Sequence, residues 1–526
     1  MSGMNGPNEN LFVALRENFP ADLDAIAIEL ADGEGLRYTW RDLERGSAML
    51  ANLLGSLELP AGARVAVQTE KSVEALLLYL AVMRAGYVYL PLNVAYQAAE
   101  IEYFIGNAEP SVFVCAPERF ARTSKIAFQA GVSHVFTLGA DRRGSLLERA
   151  SHFGDQQVPA PRRADDLAAI LYTSGTTGRS KGAMLSHGNL LSNARTLQRY
   201  WGWRPGDVLI HALPIFHVHG LFVASHGALL NGSRMLWFNR FDAAAVAARL
   251  PDATVFMGVP TFYVRLLAEP GLSREACTSM RLFVSGSAPL LTETFESFRE
   301  RSGHTILERY GMSETVMLTS NPYFEAEGER RGGTVGFALP GVSVRVVDAH
   351  AKACEPDAIG AIEVRGDCVF SGYWRMPEKT REEFTGDGWF KTGDVGRLDA
   401  TGRLTIVGRS KDLVISGGYN VYPAEIEGVL NELPGVAESA VVGVPHPDFG
   451  EAVVAVVVPR DGLSPEPAAL IAALKDRIAN FKVPKQIFVV PELPRNAMGK
   501  VQKNLLRERH AALFDAASVR TPATRA

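Results

Sequence analysis

A chain of 526 residues is longer than one ordinary domain, and 47% hydrophobic with 21% charged residues gives a globular protein with a large core in at least two domains. A formal charge of −4 and no long Lys/Arg block argue against a nucleic-acid partner. The longest apolar stretch, around 75–83, falls far short of the ~20 residues that span a bilayer, so no membrane partner is expected.

The start, MSGMNGPNEN, is polar and reads as a short disordered lead without a targeting signal. Residues 73–85 have the length and apolar content of a helix that Gly86 ends, and 87–90 read as a strand before the turn at Pro91. From 167 to 309, apolar runs at 208–213, 235–238, 254–257 and 282–284 alternate with helical stretches such as 242–250, with Asp242 as N-cap. This alternation predicts buried, mostly parallel sheet.

After Gly332 the segments 342–348, 360–365 and 402–408 read as strands joined by turns, a β-rich subdomain. A boundary is expected at 409–412, followed by a helix at 424–433, strands at 439–444 and 452–458, a helix at 467–480, a strand at 486–490 and a frayed tail from 512. The predicted fold class is α/β. A large N-terminal domain, 1–410, carries mixed parallel sheets flanked by helices plus the β-rich subdomain, and a small α/β domain spans 411–526. Cys115, Cys277, Cys354 and Cys368 lie far apart with no CxxC or His-linked spacing, which predicts reduced structural thiols and a cytoplasmic location.

The richest chemistry lies in YTSGTTGRSKGAMLSH, residues 172–187, directly after the apolar run 167–171. Glycines let the backbone approach a charged ligand, while Ser and Thr hydroxyls, free N–H groups and Lys181 supply donors and positive charge for phosphate. The order around Lys181, Ser180 before and Gly182 after, does not fit the Walker pattern.

This loop resembles the phosphate-binding signature of the adenylate-forming superfamily, in which most members have Pro where this chain has Ser180. SGSAPL (285–290), YGMSET (310–315), the segment 389–427 and PRNAMGK (494–500) extend the resemblance in the same order. It implies ATP and Mg2+ as cofactors, coenzyme A as co-substrate, and a mobile lid formed by the small domain. A carboxylate is a poor acyl donor; attack on the α-phosphorus of ATP converts its oxygen into a leaving group, AMP, which a thiolate then displaces.

By the same resemblance Lys500 is the catalytic lysine of adenylation. Nucleotide contacts fall on Thr173, Ser174, Gly175, Thr176, Thr177, Gly178, Lys181, Ser287, Tyr310, Gly311, Ser313, Asp394 and Arg409. Glu314 and Thr173 are the expected Mg2+ ligands, Lys411 the hinge, and Ser416, Gly417, Gly418 and Tyr419 the loop that lines the pantetheine path. Acetylation of Lys500 by a lysine acetyltransferase would erase the charge that adenylation needs.

PIFHVHG (214–220), SGSAPL and the pair Arg240 and Phe241 resemble bacterial malonyl-CoA synthetases in particular. Malonate leaves a second carboxylate inside the pocket, where an unpaired charge is costly, so a cation is required. Arg240 is the expected clamp, with Ser287, Met312 and His217 lining the acyl site. The alternatives are a ligase for a fatty or aryl monocarboxylate, a stand-alone enzyme loading a carrier protein, and, from another class, a noncatalytic nucleotide sensor.

Overall fold

The computed structural model describes residues 7–31, 35–173, 180–417, 419–496 and 500–514. Two compact units emerge: residues 1–343 with 364–390, and residues 344–363 with 391–526. The chain crosses between the units three times, so the strand-rich stretch after Gly332 is shared out, and residues 391–410 fall with the C-terminal part.

Among the described residues the strands form four sheets. In the first unit a nine-stranded sheet places Leu307–Tyr310, Leu282–Ser285, Val255–Gly258, Val208–His211, Arg234–Trp237 and Ile26–Leu30 side by side. These six are parallel to one another; the strands at either end, such as Arg37–Thr39, are antiparallel. A six-stranded sheet carries Arg64–Gln68, Val88–Pro91, Val112–Cys115 and Leu167–Thr173 in parallel register. All the runs expected to be buried strand are strands, offset by one or two residues.

Val73–Ala85 is the expected helix, capped by Ser72 and ended by Gly86 at φ 73. Its apolar residues run all round the cylinder, and nearly all of it is buried. Asp242 caps Ala243–Arg249 by accepting from the Ala245 N–H at 2.8 Å. The main surprise in this unit is the return of the phosphate loop: Lys181–Ser186 is itself a strand, antiparallel to Leu167–Thr173, with Thr173 paired to Lys181. The strands on either side of the loop therefore pair with each other.

In the second unit Val436–His446 and Gly450–Pro459 form a long hairpin, joined by Gln486–Val489 in parallel, with Val436, Val441, Val453, Val457 and Leu474 in its core. The helix expected at 467–480 stops at Lys475, and a short 3-10 turn follows at Asn480–Lys482. The four cysteines form no disulfide, and no described helix is long and apolar enough to cross a membrane.

Candidate active site

Parallel strands bring their C-terminal ends to one edge of a sheet, where ligands of open α/β sheets bind. Here that edge collects the segments 212–219, 238–241, 286–290 and 311–316, which contain His217, Arg240, Ser287, Met312 and Glu314.

On the phosphate side, Ser174, Gly175, Thr176, Thr177 and Gly178 lie outside the described residues. Thr173 and Lys181 mark the two feet of the hairpin, the Thr173 hydroxyl donating to the Lys181 carbonyl at 3.4 Å. The Lys181 ammonium lies 3.3 Å from Glu383 and 4.2 Å from the centroid of the Tyr373 ring. Tyr373 in turn donates its hydroxyl to Glu314 Oε1 at 2.9 Å, and Glu314 is buried. One aromatic side chain thus joins the expected phosphate lysine to the expected metal carboxylate. Tyr373 is placed by a bridge between its backbone and Ala183 on the return strand. Burial and the Glu314 charge hold its phenol far above the usual range, so it stays a donor.

Around the nucleoside and acyl groups, Tyr310 ends its strand half-buried, and Gly311 begins the turn to Glu314. Two non-glycine residues here adopt left-handed backbone, Ser287 at φ 73 and Val316 at φ 57, the latter costly for a β-branched side chain. Ser287 Oγ approaches His219 Nδ1 at 3.5 Å. His219 is fully buried, and burial, aided by Arg309, His217 and His211, keeps its imidazole neutral. Met312 and Ser313 lie half-buried in the same turn.

Arg240 stands apart from that group. Its side chain is 85% exposed, with Nη2 4.0 Å from Glu70, on the rim of a cavity of about 310 Å³ lined also by Lys71, Pro214, Phe216 and Arg265. Neither Ser287, His217 nor Met312 lines that cavity. Lys71 there is held by the carbonyls of His211 and Phe238 at 2.8 and 2.7 Å.

The structure instead buries a different cation. Arg309, next to Tyr310, is 3% exposed, and its guanidinium lies so near Gly286 that a Cβ there would sit 2.5 Å from Arg309 Cζ. Sequence reasoning missed both Tyr373 and Arg309. The second had a signal: Glu308 and Arg309 put two charges inside a strand that starts with Leu307 and packs in the sheet interior.

In the second unit Asp394 and Arg409 are directly opposite on the antiparallel strands Phe390–Leu398 and Leu404–Arg409, with Arg409 Nε 3.1 Å from Asp394 Oδ1. The expected ribose pair is thus a cross-strand ion pair, its carboxylate buried and its guanidinium half in solvent. Lys411 lies in the 3-10 turn Ser410–Asp412 that follows. Burial first, and then Arg409, pushes its ammonium down to about 8, against the opposing pull of Asp412 and Asp394.

Ser416 pairs with Tyr419 across a two-residue turn in which Gly417 has φ 58, a conformation suited to glycine. Gly418 lies outside the described residues. Tyr419 is 58% exposed and stacks on Phe481 with centroids 4.6 Å apart. Lys500 closes a tight turn: its N–H donates to Asn496 Oδ1 at 3.0 Å and its carbonyl accepts from the Asn496 N–H at 2.9 Å.

Comparison with known proteins accounts for this arrangement. Residues 15–374 match the AMP-binding enzyme family and residues 425–500 the AMP-binding enzyme C-terminal domain. The crystal structure of ATP-bound MatB from Rhodopseudomonas palustris is 52% identical, with a TM-score of 0.93 over 97% of this chain and 100% of that one. A mitochondrial malonate–CoA ligase of Mus musculus is 36% identical across 91% of this chain and 88% of its own length. A sulfoacetate–CoA ligase of Cupriavidus necator is 34% identical across 90% and 93%. With a family match over most of its length, motifs in the same order and a fold that presents them at one sheet edge and one hairpin tip, this chain belongs to the AMP-binding enzymes, the adenylate-forming superfamily.

Proposed function

We propose that this chain is an AMP-forming ligase that joins malonate to coenzyme A through a malonyl-adenylate, releasing AMP and pyrophosphate. The observation that carries the reading is the 52% identity to MatB, a malonyl-CoA synthetase, along its whole length. Malonate–CoA ligases of Mus musculus and Arabidopsis thaliana, at 36% and 32% identity, support the same acid.

In this reading Lys181 and the hydroxyl-rich hairpin tip receive the ATP phosphates. Tyr310 offers its ring to adenine, and Asp394 and Arg409 exchange their mutual ion pair for contacts with the ribose. Lys500 supplies charge to the carboxylate and α-phosphate during adenylation. A hinge at Lys411 withdraws it and brings the loop 416–419 toward the acyl group for thiol attack. A lysine acetyltransferase acting on Lys500 would switch off the first half-reaction alone.

Glu314 and Thr173 offer hard oxygen donors that fit Mg2+, an ion that takes one or two protein oxygens and otherwise water and phosphate. Bound there, Mg2+ would neutralise charge on the phosphates. Tyr373 orients the carboxylate by its hydrogen bond, so Tyr373→Phe raises the Mg2+ concentration for half-maximal rate about tenfold. A Mg2+ titration of pyrophosphate release checks this; an unchanged midpoint would show that Tyr373 only packs.

The test of the function is pyrophosphate release with ATP, Mg2+ and coenzyme A on malonate, methylmalonate, acetate, octanoate and coumarate, with mass detection of the thioester. Malonyl-CoA is the expected main product, with some methylmalonyl-CoA. Preference for octanoate or coumarate would leave the ligase mechanism and discard malonate.

A further inference from the structure

We propose that Tyr103 is a positioning residue for adenylation: its hydroxyl, carried by the helix Ala98–Ala108, holds the Ser180 carbonyl and so aims the neighbouring Lys181 at the ATP phosphates. The inference rests on the ligase reading above and adds to it a residue that acts through Lys181.

Lys181 is the first residue of its strand to pair with Leu167–Thr173, opposite Thr173. The Ser180 carbonyl lies outside that ladder, and a side chain takes it instead: the Tyr103 hydroxyl donates to it at 2.7 Å. The bond orients the Ser180–Lys181 peptide as a whole, because carbonyl and N–H belong to one rigid plane. A lysine stem is long and flexible, so the direction in which it leaves the backbone decides what its ammonium can reach. On the other side of Lys181 the strand is held twice. The Thr173 hydroxyl donates to the Lys181 carbonyl, and the Trp374 N–H donates to the Gly182 carbonyl at 2.7 Å.

The same helix also reaches the opposite strand. Tyr172, just before Thr173, donates its hydroxyl to Asn107 Oδ1, and residues 103 and 107 stand one helical turn apart on one face. Burial, with Tyr103 adding to it, keeps the Tyr172 phenol above its ordinary range, so it remains a donor. Phe104 packs against both rings, its centroid 5.5 Å from that of Tyr103 and 4.5 Å from that of Tyr172. One helix thus holds the strand ends on both sides of residues 174–179.

That helix is a firm base. Ile101, Phe104, Ile105 and Ala108 are buried. Arg64 donates from Nε to the Ala108 carbonyl at 2.9 Å and from Nη2 to the Glu109 carbonyl at 2.7 Å, a cation satisfying carbonyls at the helix end. Trp374 Nε1 donates to the Asn107 carbonyl at 3.1 Å.

The test follows both half-reactions in wild-type enzyme, Tyr103→Phe, Lys181→Ala and the double variant, with the preferred acid of the panel above, expected to be malonate, and with its adenylate. Tyr103→Phe keeps the ring contacts with Phe104 and Tyr172 and loses one hydrogen bond. Its kcat/KM for ATP in pyrophosphate release falls about tenfold, as for one neutral hydrogen bond, while KM for the acid stays within about twofold. Thioester formation from supplied adenylate and coenzyme A also stays within about twofold, because the pyrophosphate has already gone and Lys181 has no charge left to meet there. In the Lys181→Ala background Tyr103→Phe costs less than about twofold more, since its effect passes through that lysine.

An unchanged kcat/KM for ATP in Tyr103→Phe, an equal fall in both half-reactions, or a further tenfold fall on top of Lys181→Ala would overturn the assignment. Any of these, in a wild-type enzyme that releases pyrophosphate with an acid of the panel, refutes Tyr103 alone. Wild-type enzyme that releases none with any of those acids refutes the function reading as well.

Discussion

Lys500→Ala loses the first half-reaction and keeps the second. Pyrophosphate release from malonate and ATP falls by about 10²–10³, the usual effect of removing one donor aimed at developing charge. Thioester formation from supplied malonyl-AMP and coenzyme A stays within about threefold, because thiol attack on an adenylate no longer needs that ammonium. The two hydrogen bonds between residues 496 and 500 use backbone groups and the Asn496 side chain, and Ala keeps both. Loss of both half-reactions to the same degree would contradict the division of labour and place Lys500 among general binding residues. The same assay on enzyme acetylated at Lys500 gives the same split, because acetylation removes the charge and leaves the backbone.

Most of what positions this site was legible in the chain because local rules and tertiary burial agree there. Val73–Ala85 starts at its Ser cap and stops at Gly86 where the sequence says it should. The buried strands announce themselves as short apolar runs, and their order along the chain predicts the parallel sheet. Asp394 and Arg409 each stood out by motif but not as partners, since cross-strand pairing depends on register, which the separate motifs do not encode.

Lys181 stood out in the sequence by its glycine- and hydroxyl-rich surroundings, while its place on a return strand was hidden by a loop composition that masks the pairing. Tyr373 lies far in sequence from both groups it joins, and the pairing of residues 371–374 with 182–184 brings it there. Arg309 is the instructive miss. A charged residue inside a buried strand is expensive, and that expense itself points to a ligand or an ion pair. Arg240 drew attention by motif position, whereas burial separates the two arginines, and burial is what a single sequence reports least directly.

Gly311→Ala damages the site as a whole, and for a reason that lies in the backbone. A Cβ at position 311 would lie 2.0 Å from the Val316 carbonyl oxygen and 2.8 Å from Met317 Cα, both main-chain atoms. Neither side can yield easily. Tyr310 is tied by its strand pairing with Thr319 and by the Leu318 N–H, which donates to its carbonyl at 2.9 Å. The turn beyond is pinned where the Thr315 N–H donates to the Met312 carbonyl at 3.1 Å and the Phe370 N–H to the Glu314 carbonyl at 2.8 Å. Val316 is already in left-handed backbone, so the turn has little freedom left to absorb a further shift. The expected cost is about 1–3 kcal/mol of stability, seen as a lower Tm. Tyr310, Met312 and Glu314 move together, so kcat/KM for malonate falls about a hundredfold and KM for ATP rises with it. That joint loss distinguishes a backbone fault from the loss of a single side-chain contact, which moves one KM alone. Gly428→Ala is the matched control, since no atom lies within 4 Å of a Cβ at that helical position, and it leaves activity unchanged while adding roughly 0.5–1 kcal/mol of stability. Wild-type activity and Tm in Gly311→Ala would mean that the turn relaxes around the extra methyl, and the rigidity assigned to residues 311–316 would then be wrong.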